Sequence, residues 1–154
     1  MLSFQIAVTY VIVQMIGALA AGLLVAWLWG PLVTIGASHP GSGYAYSVAV
    51  IAEVVLTFLV IIVVLATAQQ EAVIGKESAL AIGFTIAACG FFGGPISGAS
   101  MNPARSIGPQ IVGGQYGLIW IYALGPCAGA ALAVAVAALI FGSPDQGARK
   151  AAQG

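Results

Sequence analysis

Four long apolar runs, at about residues 4–29, 48–68, 79–92 and 118–141, decide most of what this chain can become. A helix needs about 20 apolar residues to cross the ~30 Å hydrocarbon core of a bilayer, and the runs suit that length, the third being the shortest. Only 5% of the 154 residues are charged, while 61% are hydrophobic. Soluble domains carry about 25% charged residues, so no soluble fold could cover its surface with these. The chain therefore reads as an all-α membrane protein with four transmembrane helices. Gly30-Pro31 closes the first run, and Gly142 and Pro144 follow the last; both pairs stop helices. The stretch around His39, Pro40 and Gly41 reads as an exposed loop, and so does the stretch 69–77. The first run lacks a basic leader and is too long for a cleaved signal peptide, so it reads as a retained span.

The formal net charge is zero, which gives no reason to expect nucleic acid or an anionic surface as partner. Cys89 and Cys127 sit in apolar stretches with no CxxC or Cys/His spacing. They read as buried thiols, and neither a metal site nor a cofactor is expected. Four spans place both termini on one face, together with Lys76, Arg149 and Lys150, while Arg105 lies elsewhere. The positive-inside rule makes that face cytoplasmic, with His39 outside. Ala18 with Gly22, and Gly125 with Gly129, are pairs of small residues four apart that allow close helix approach. A weak repeat runs at an offset of 112: Tyr10, Gly17, Ala18, Ala21, Ala26 and Gly30 match Tyr122, Gly129, Ala130, Ala133, Ala138 and Gly142. Opposite crossing directions of the first and fourth spans would make this an inverted repeat.

Residues 93–106 read GGPISGASMNPARS. Asn102 followed by Pro103 is a helix start, since Asn caps and Pro fits the first helical position. A helix from there to about residue 112 is only ~15 Å long, half a membrane. The glycine-rich stretch before it reads as extended backbone, which at membrane depth is tolerated only inside protein or beside a water-filled cavity. Arg105, three residues past the Asn, would be expensive in lipid at about 2.5–3.5 kcal/mol even on the lenient scale.

The run SGASMNPARS, with IAEVVLTFLV at 51–60 and WIYALGP at 120–126, resembles the second half of the aquaporin, or major intrinsic protein, family. The likeness covers the whole chain. It implies an aquaporin-like bundle in which the four spans are the family's third to sixth helices. It also implies that the Asn102 half-helix is re-entrant, dipping in from outside between the last two. Asn102, Pro103, Ala104 and Arg105 would then line the pore. A half-helix points about +0.5 of a charge at the pore centre, the Asn102 amide orients passing water, and Arg105 adds charge and donors. Pores of this type exclude protons and cations by such groups. Carbonyls of Gly98, Ala99 and Ser100 would supply acceptors along the path.

Glu53, read alone, suits either a proton carrier or an interfacial acid. The resemblance assigns it to hydrogen bonds with loop amides, as structural support, and gives Gln14 the same role toward another loop. Family members use two Asn-Pro-Ala half-helices, and one is present here. Shifting Asn102 back by the offset of 112 places its counterpart about ten residues before Met1, so the chain is expected to be N-terminally truncated. In the filter, the position where strict water channels carry His falls on Gly90, and the next on Ala99, both small. Ser106 and Gln110 replace the Asp and Arg that glycerol facilitators carry, and Ala123 stands where many have Trp. The sequence matches neither class and is most similar to the plant vacuolar type and its bacterial relatives.

The resemblance implies a passive channel, not an enzyme, for water and small neutral solutes such as glycerol, urea or ammonia. It implies a homotetramer, when complete, surrounded by lipid in the plasma (inner) membrane. A rival reading is a non-conducting fragment that only assembles with full-length subunits. A third class, a proton-coupled transporter or membrane enzyme built on Glu53, finds no second acid or nucleophile–base pair.

Overall fold

The computed structural model describes residues 3–30, 36–68 and 76–141. The side chain of Lys76, the stretch 69–75, Pro31, Gly142, Pro144, Arg149 and Lys150 lie outside the described residues. Five α-helices follow in order: α1 (Phe4–Trp29), α2 (Tyr46–Ala68), α3 (Lys76–Ser97), α4 (Pro103–Val112) and α5 (Ile119–Phe141). A 3-10 turn at Tyr116–Leu118 leads into α5. The chain is all-α, without a strand among the described residues. Its four long helices are apolar enough to cross a membrane, and α4 is ten residues long. With large hydrophobic side chains exposed along α1, α3 and α5, water is not the solvent these surfaces fit. This is an integral membrane protein.

Helix ends follow local chemistry. The Ser3 hydroxyl accepts from the amide of Ile6 at 3.4 Å to open α1, and Gly30, with φ of 63°, closes it. The third helix departs from expectation. It continues to Ser97, five residues past the apolar run, where extended backbone is expected from the glycines. Pro95 lies in its last turn, so the ring removes a single backbone donor near an end that is already losing partners. The ladder resumes beyond it, with the amide of Gly98 donating to Gly94 at 3.0 Å.

Helix α2 is the hub, packed on α5 and on α3. On the α5 side the approach is closest at two glycines. A Cβ at Gly125 would start 2.6 Å from Glu53 Cβ, and one at Gly129 would strike the Val54 carbonyl and lie 3.0 Å from Thr57 Cβ. On the α3 side Leu56, Val60 and Cys89 form a buried cluster against which Ala99 and Met101 pack. Cys89 is buried as expected of an apolar-stretch thiol, but Cys127 is exposed, on the outer side of α5.

Helix α1 packs on α4, and among the described residues it packs on no other helix. Their contact is tight: a Cβ on Gly108 would lie 2.6 Å from that of Ala18, and one on Gly22 would lie 3.3 Å from Pro109 Cα. The sequence repeat has a structural counterpart. Adding 112 to the bounds of Phe4–Trp29 gives 116–141, the limits of the span at Tyr116–Phe141.

Bulk at the α2–α5 crossing has nowhere to go, because the facing atoms are backbone. Gly129→Leu is expected to lower stability by about 3 kcal/mol, the upper end for overpacking. Thermal melting in detergent, followed by circular dichroism, checks this. A melting temperature equal to the wild type's would mean that the two helices separate freely.

Candidate functional site

The site is built on the turn between α3 and α4. Its backbone takes the left-handed region at Gly98 (φ 81°), Ala99 (φ 44°) and Met101 (φ 54°). For Ala and Met this conformation costs roughly 1–2 kcal/mol each. The turn is held by Glu53 of α2, which is fully buried. One carboxylate oxygen accepts from the amide of Ser100 at 2.8 Å and from the Ser97 hydroxyl at 2.7 Å. The other accepts from the amide of Met101 at 2.8 Å. Left-handed residues turn successive amides toward a common point, making a concave cradle for an anion. Here that anion is the protein's own side chain. The buried Tyr122 of α5 donates its hydroxyl to the Ser97 carbonyl at 2.6 Å, tying the same turn to a second helix.

Asn102 follows in extended conformation, φ −156° and ψ 117°, and caps α4. Its Oδ1 accepts from the amides of Ala104 at 3.0 Å and Arg105 at 3.4 Å. Pro103 stands at the first helical position, where the missing amide proton is not needed. With Oδ1 fixed on the backbone, the Nδ2 hydrogens of this exposed residue point away from the helix. Among the hydrogen bonds of the described residues, none ends on the carbonyl oxygens of Gly98, Ala99 or Ser100.

Arg105 is exposed and is held by the segment that follows α1. Its Nη1 donates to the carbonyl of Gly36 at 3.1 Å and to the hydroxyl of Ser38. That segment is itself anchored. The amide of Gly41 donates to the Ile96 carbonyl at 2.9 Å, and the fully buried Gln110 of α4 donates Nε2 to the Ser38 carbonyl at 2.8 Å. Behind Arg105, buried hydroxyls line up: Ser38 to Ser106 at 2.5 Å, Ser106 to Ser100 at 2.5 Å, and Ser100 to the Asn102 carbonyl at 2.8 Å.

The structure thus brings together Glu53, Gly98, Ala99, Ser100, Asn102, Pro103, Ala104 and Arg105. Gly90 lies on α3 one residue beyond Cys89, and a Cβ there would meet nothing within 4 Å. Gln14 stands apart, exposed on α1 with no hydrogen bond to the described residues. Ser38 has no part in the expectations from sequence, and Ser106 and Gln110 enter them only as positions that distinguish channel classes, not as buried polar partners of the site. Ser106 and Gln110 are four apart on one helix face, a spacing that could have marked a buried polar stripe. Ser38 carries no such mark, because the contact from Ser38 to Arg105 spans 67 residues.

The family model for major intrinsic proteins matches residues 1–138. Aquaporin NIP1-4 of Oryza sativa subsp. japonica is 41% identical over 126 residues, which is 81% of this chain and 45% of that protein. Probable aquaporin TIP2-2 of Arabidopsis thaliana is 41% identical over 139 residues, covering 86% of the chain and 52% of the relative. Aquaporin TIP2-3 of the same plant is 39% identical over 150 residues, with coverages of 94% and 56%. The chain spans about half the length of the curated relatives it matches. A capped half-helix, four apolar helices and these matches agree: the chain belongs to the major intrinsic protein family.

Proposed function

We propose that the complete protein is a passive membrane channel for water and small neutral solutes such as glycerol, urea or ammonia, and not an enzyme. The observation that carries this reading is the start of α4. There an exposed Asn102 amide and an exposed Arg105 guanidinium sit on the N-terminal end of a ten-residue helix. That end carries about +0.5 of a charge from the aligned peptide dipoles. Water meeting it is turned oxygen-first, so a row of water molecules cannot pass a proton straight through. Cations meet a repulsive field from both the dipole and Arg105.

Gly90 and Ala99 narrow the path little, and the carbonyls of Gly98, Ala99 and Ser100 offer acceptors along it. Glu53 supports the turn without touching permeant molecules, and the family resemblance gives Gln14 the same supporting role toward another loop. The family resemblance further suggests a homotetramer in the plasma membrane with both termini cytoplasmic.

Stopped-flow light scattering on proteoliposomes holding the complete protein tests the channel reading. Vesicle shrinkage in a sucrose gradient should be at least about tenfold faster than in empty vesicles, a barrier lower by about 1.4 kcal/mol. Folded protein that leaves the rate at the empty-vesicle value would end this reading.

A further inference from the structure

We propose that Ser38, Ser106 and Ser100 form a one-way row of hydroxyls that positions Arg105 relative to Asn102, with Ser106 as its middle member. The inference rests on reading Arg105 and Asn102 as the groups that face the permeation path. The direction of the row follows from counting protons. A serine hydroxyl has one proton to give and two lone pairs to receive with. Ser100 gives its proton to the Asn102 carbonyl, which can only accept. Ser106 must then give its proton to Ser100, at 2.5 Å. That leaves Ser38 as the donor to Ser106, also at 2.5 Å. The oxygen of Ser38 in turn receives from Arg105, which can only donate. An obligate donor closes one end and an obligate acceptor the other, so the row has one orientation and no freedom to reverse.

Burial makes that orientation rigid. Ser106 is fully buried, and Ser38 and Ser100 are 2% and 5% exposed. Water is therefore not at hand to replace a lost partner, and each unmade bond leaves a desolvated hydroxyl. The row begins at the guanidinium and ends on the backbone of the residue that caps the same helix. The Asn102 amide is thereby fixed from two sides, by its own Oδ1 on Ala104 and Arg105 and by its carbonyl on Ser100. Ser38 is the one member contributed from outside the α3–α4 segment, and Gln110 fixes it through its carbonyl. The position of the segment after α1 thus reaches Arg105 through Ser38 alone and Asn102 through all three hydroxyls.

Two measurements on the complete protein test the row. In nanodiscs, arginine-selective 15N labelling reports rotation of the Arg105 guanidinium, its signal identified by loss in Arg105→Lys. Ser38→Ala and Ser106→Ala should each speed that rotation by about tenfold, as expected for a charged hydrogen bond weakened by loss of its partner or of its partner's orientation. The double variant should rotate no faster than Ser38→Ala, because a broken row cannot be broken again. A Ser106 that only fills space would leave rotation at the wild-type rate, and that result overturns the row. Effects of the two single changes that add in full would also overturn it. Should Ser106→Ala fail to fold, Ser106→Cys keeps the volume with a weaker donor and is expected to give a smaller acceleration. In proteoliposomes the glycerol-to-water permeability ratio should change in the same variants and in the same order. Wild-type vesicles with no water flux, beside rotation that follows the row, would sink the channel reading and leave the row standing. Normal flux with unchanged rotation would do the reverse.

Discussion

Replacing Glu53 with alanine is expected to remove most of the folded protein. Three donors would lose their acceptor at once: the amides of Ser100 and Met101 and the hydroxyl of Ser97. A buried donor without a partner costs about 1–3 kcal/mol, and total stabilities run to about 5–15 kcal/mol. The loss falls on a turn that already holds Ala99 and Met101 at positive φ. Glu53→Gln keeps one accepting oxygen but turns an NH2 toward the other donor, so it should lie between wild type and Glu53→Ala. Monodisperse yield on gel filtration and the melting temperature in detergent measure both variants. Wild-type stability in Glu53→Ala would show that the carboxylate does not support the turn, and would return it to consideration as a proton carrier.

Gly90→His should cut solute flux far more than water flux. Space beside Gly90 is open, with nothing within 4 Å of a new Cβ, so the imidazole enters without displacing a neighbour. On the proposed channel reading it would add bulk and a polar group to the path that Arg105 faces. Selection in such pores depends on diameter and on the donors along the wall. Glycerol and urea permeability are expected to fall by about tenfold, an added barrier of about 1.4 kcal/mol, while water permeability changes little. Stopped-flow measurement of water and solutes on the same proteoliposomes decides it. Equal losses for water and glycerol would place Gly90 away from the narrowest point.

The long helices are legible in the sequence because lipid imposes a single requirement, about twenty apolar residues in a row, which leaves a mark that does not depend on the rest of the fold. The start of α4 is legible for a similar reason, since Asn102 and Pro103 act on the backbone next to them. The end of α3 is not. Glycines and a proline argue against a helix at 93–95, and tertiary packing overrides them: Gly93 lies so close to Leu56 that a Cβ there would force the leucine methyl to shift. The holding of Arg105 is also invisible from spacing alone, because it depends on a residue 67 positions away. Glu53 illustrates the boundary. A lone acid in an apolar run announces that something must satisfy it, and the family resemblance points to loop amides; the fold identifies them as those of Ser100 and Met101 and adds the Ser97 hydroxyl.

The seating of α1 on α4 has a consequence for how the protein is assembled. Ribosomes deliver α1 to the bilayer first of the five helices, yet its packing partner begins at Pro103 and is synthesised last but one. Until then α1 has no packing partner among the described helices, and its span carries a mean hydropathy of 2.3 with no charged residue. Helix α4 is in the opposite position. Ten residues with Arg105 among them are too short and too polar to insert by themselves. In the folded protein they lie against α1 and α5, so they take up this position only with those two helices beside them. Insertion and completion are therefore separate events in time, and the second one sets Arg105 and Asn102 in place. A polypeptide stalled between them would hold its long helices in the membrane with its short helix still outside.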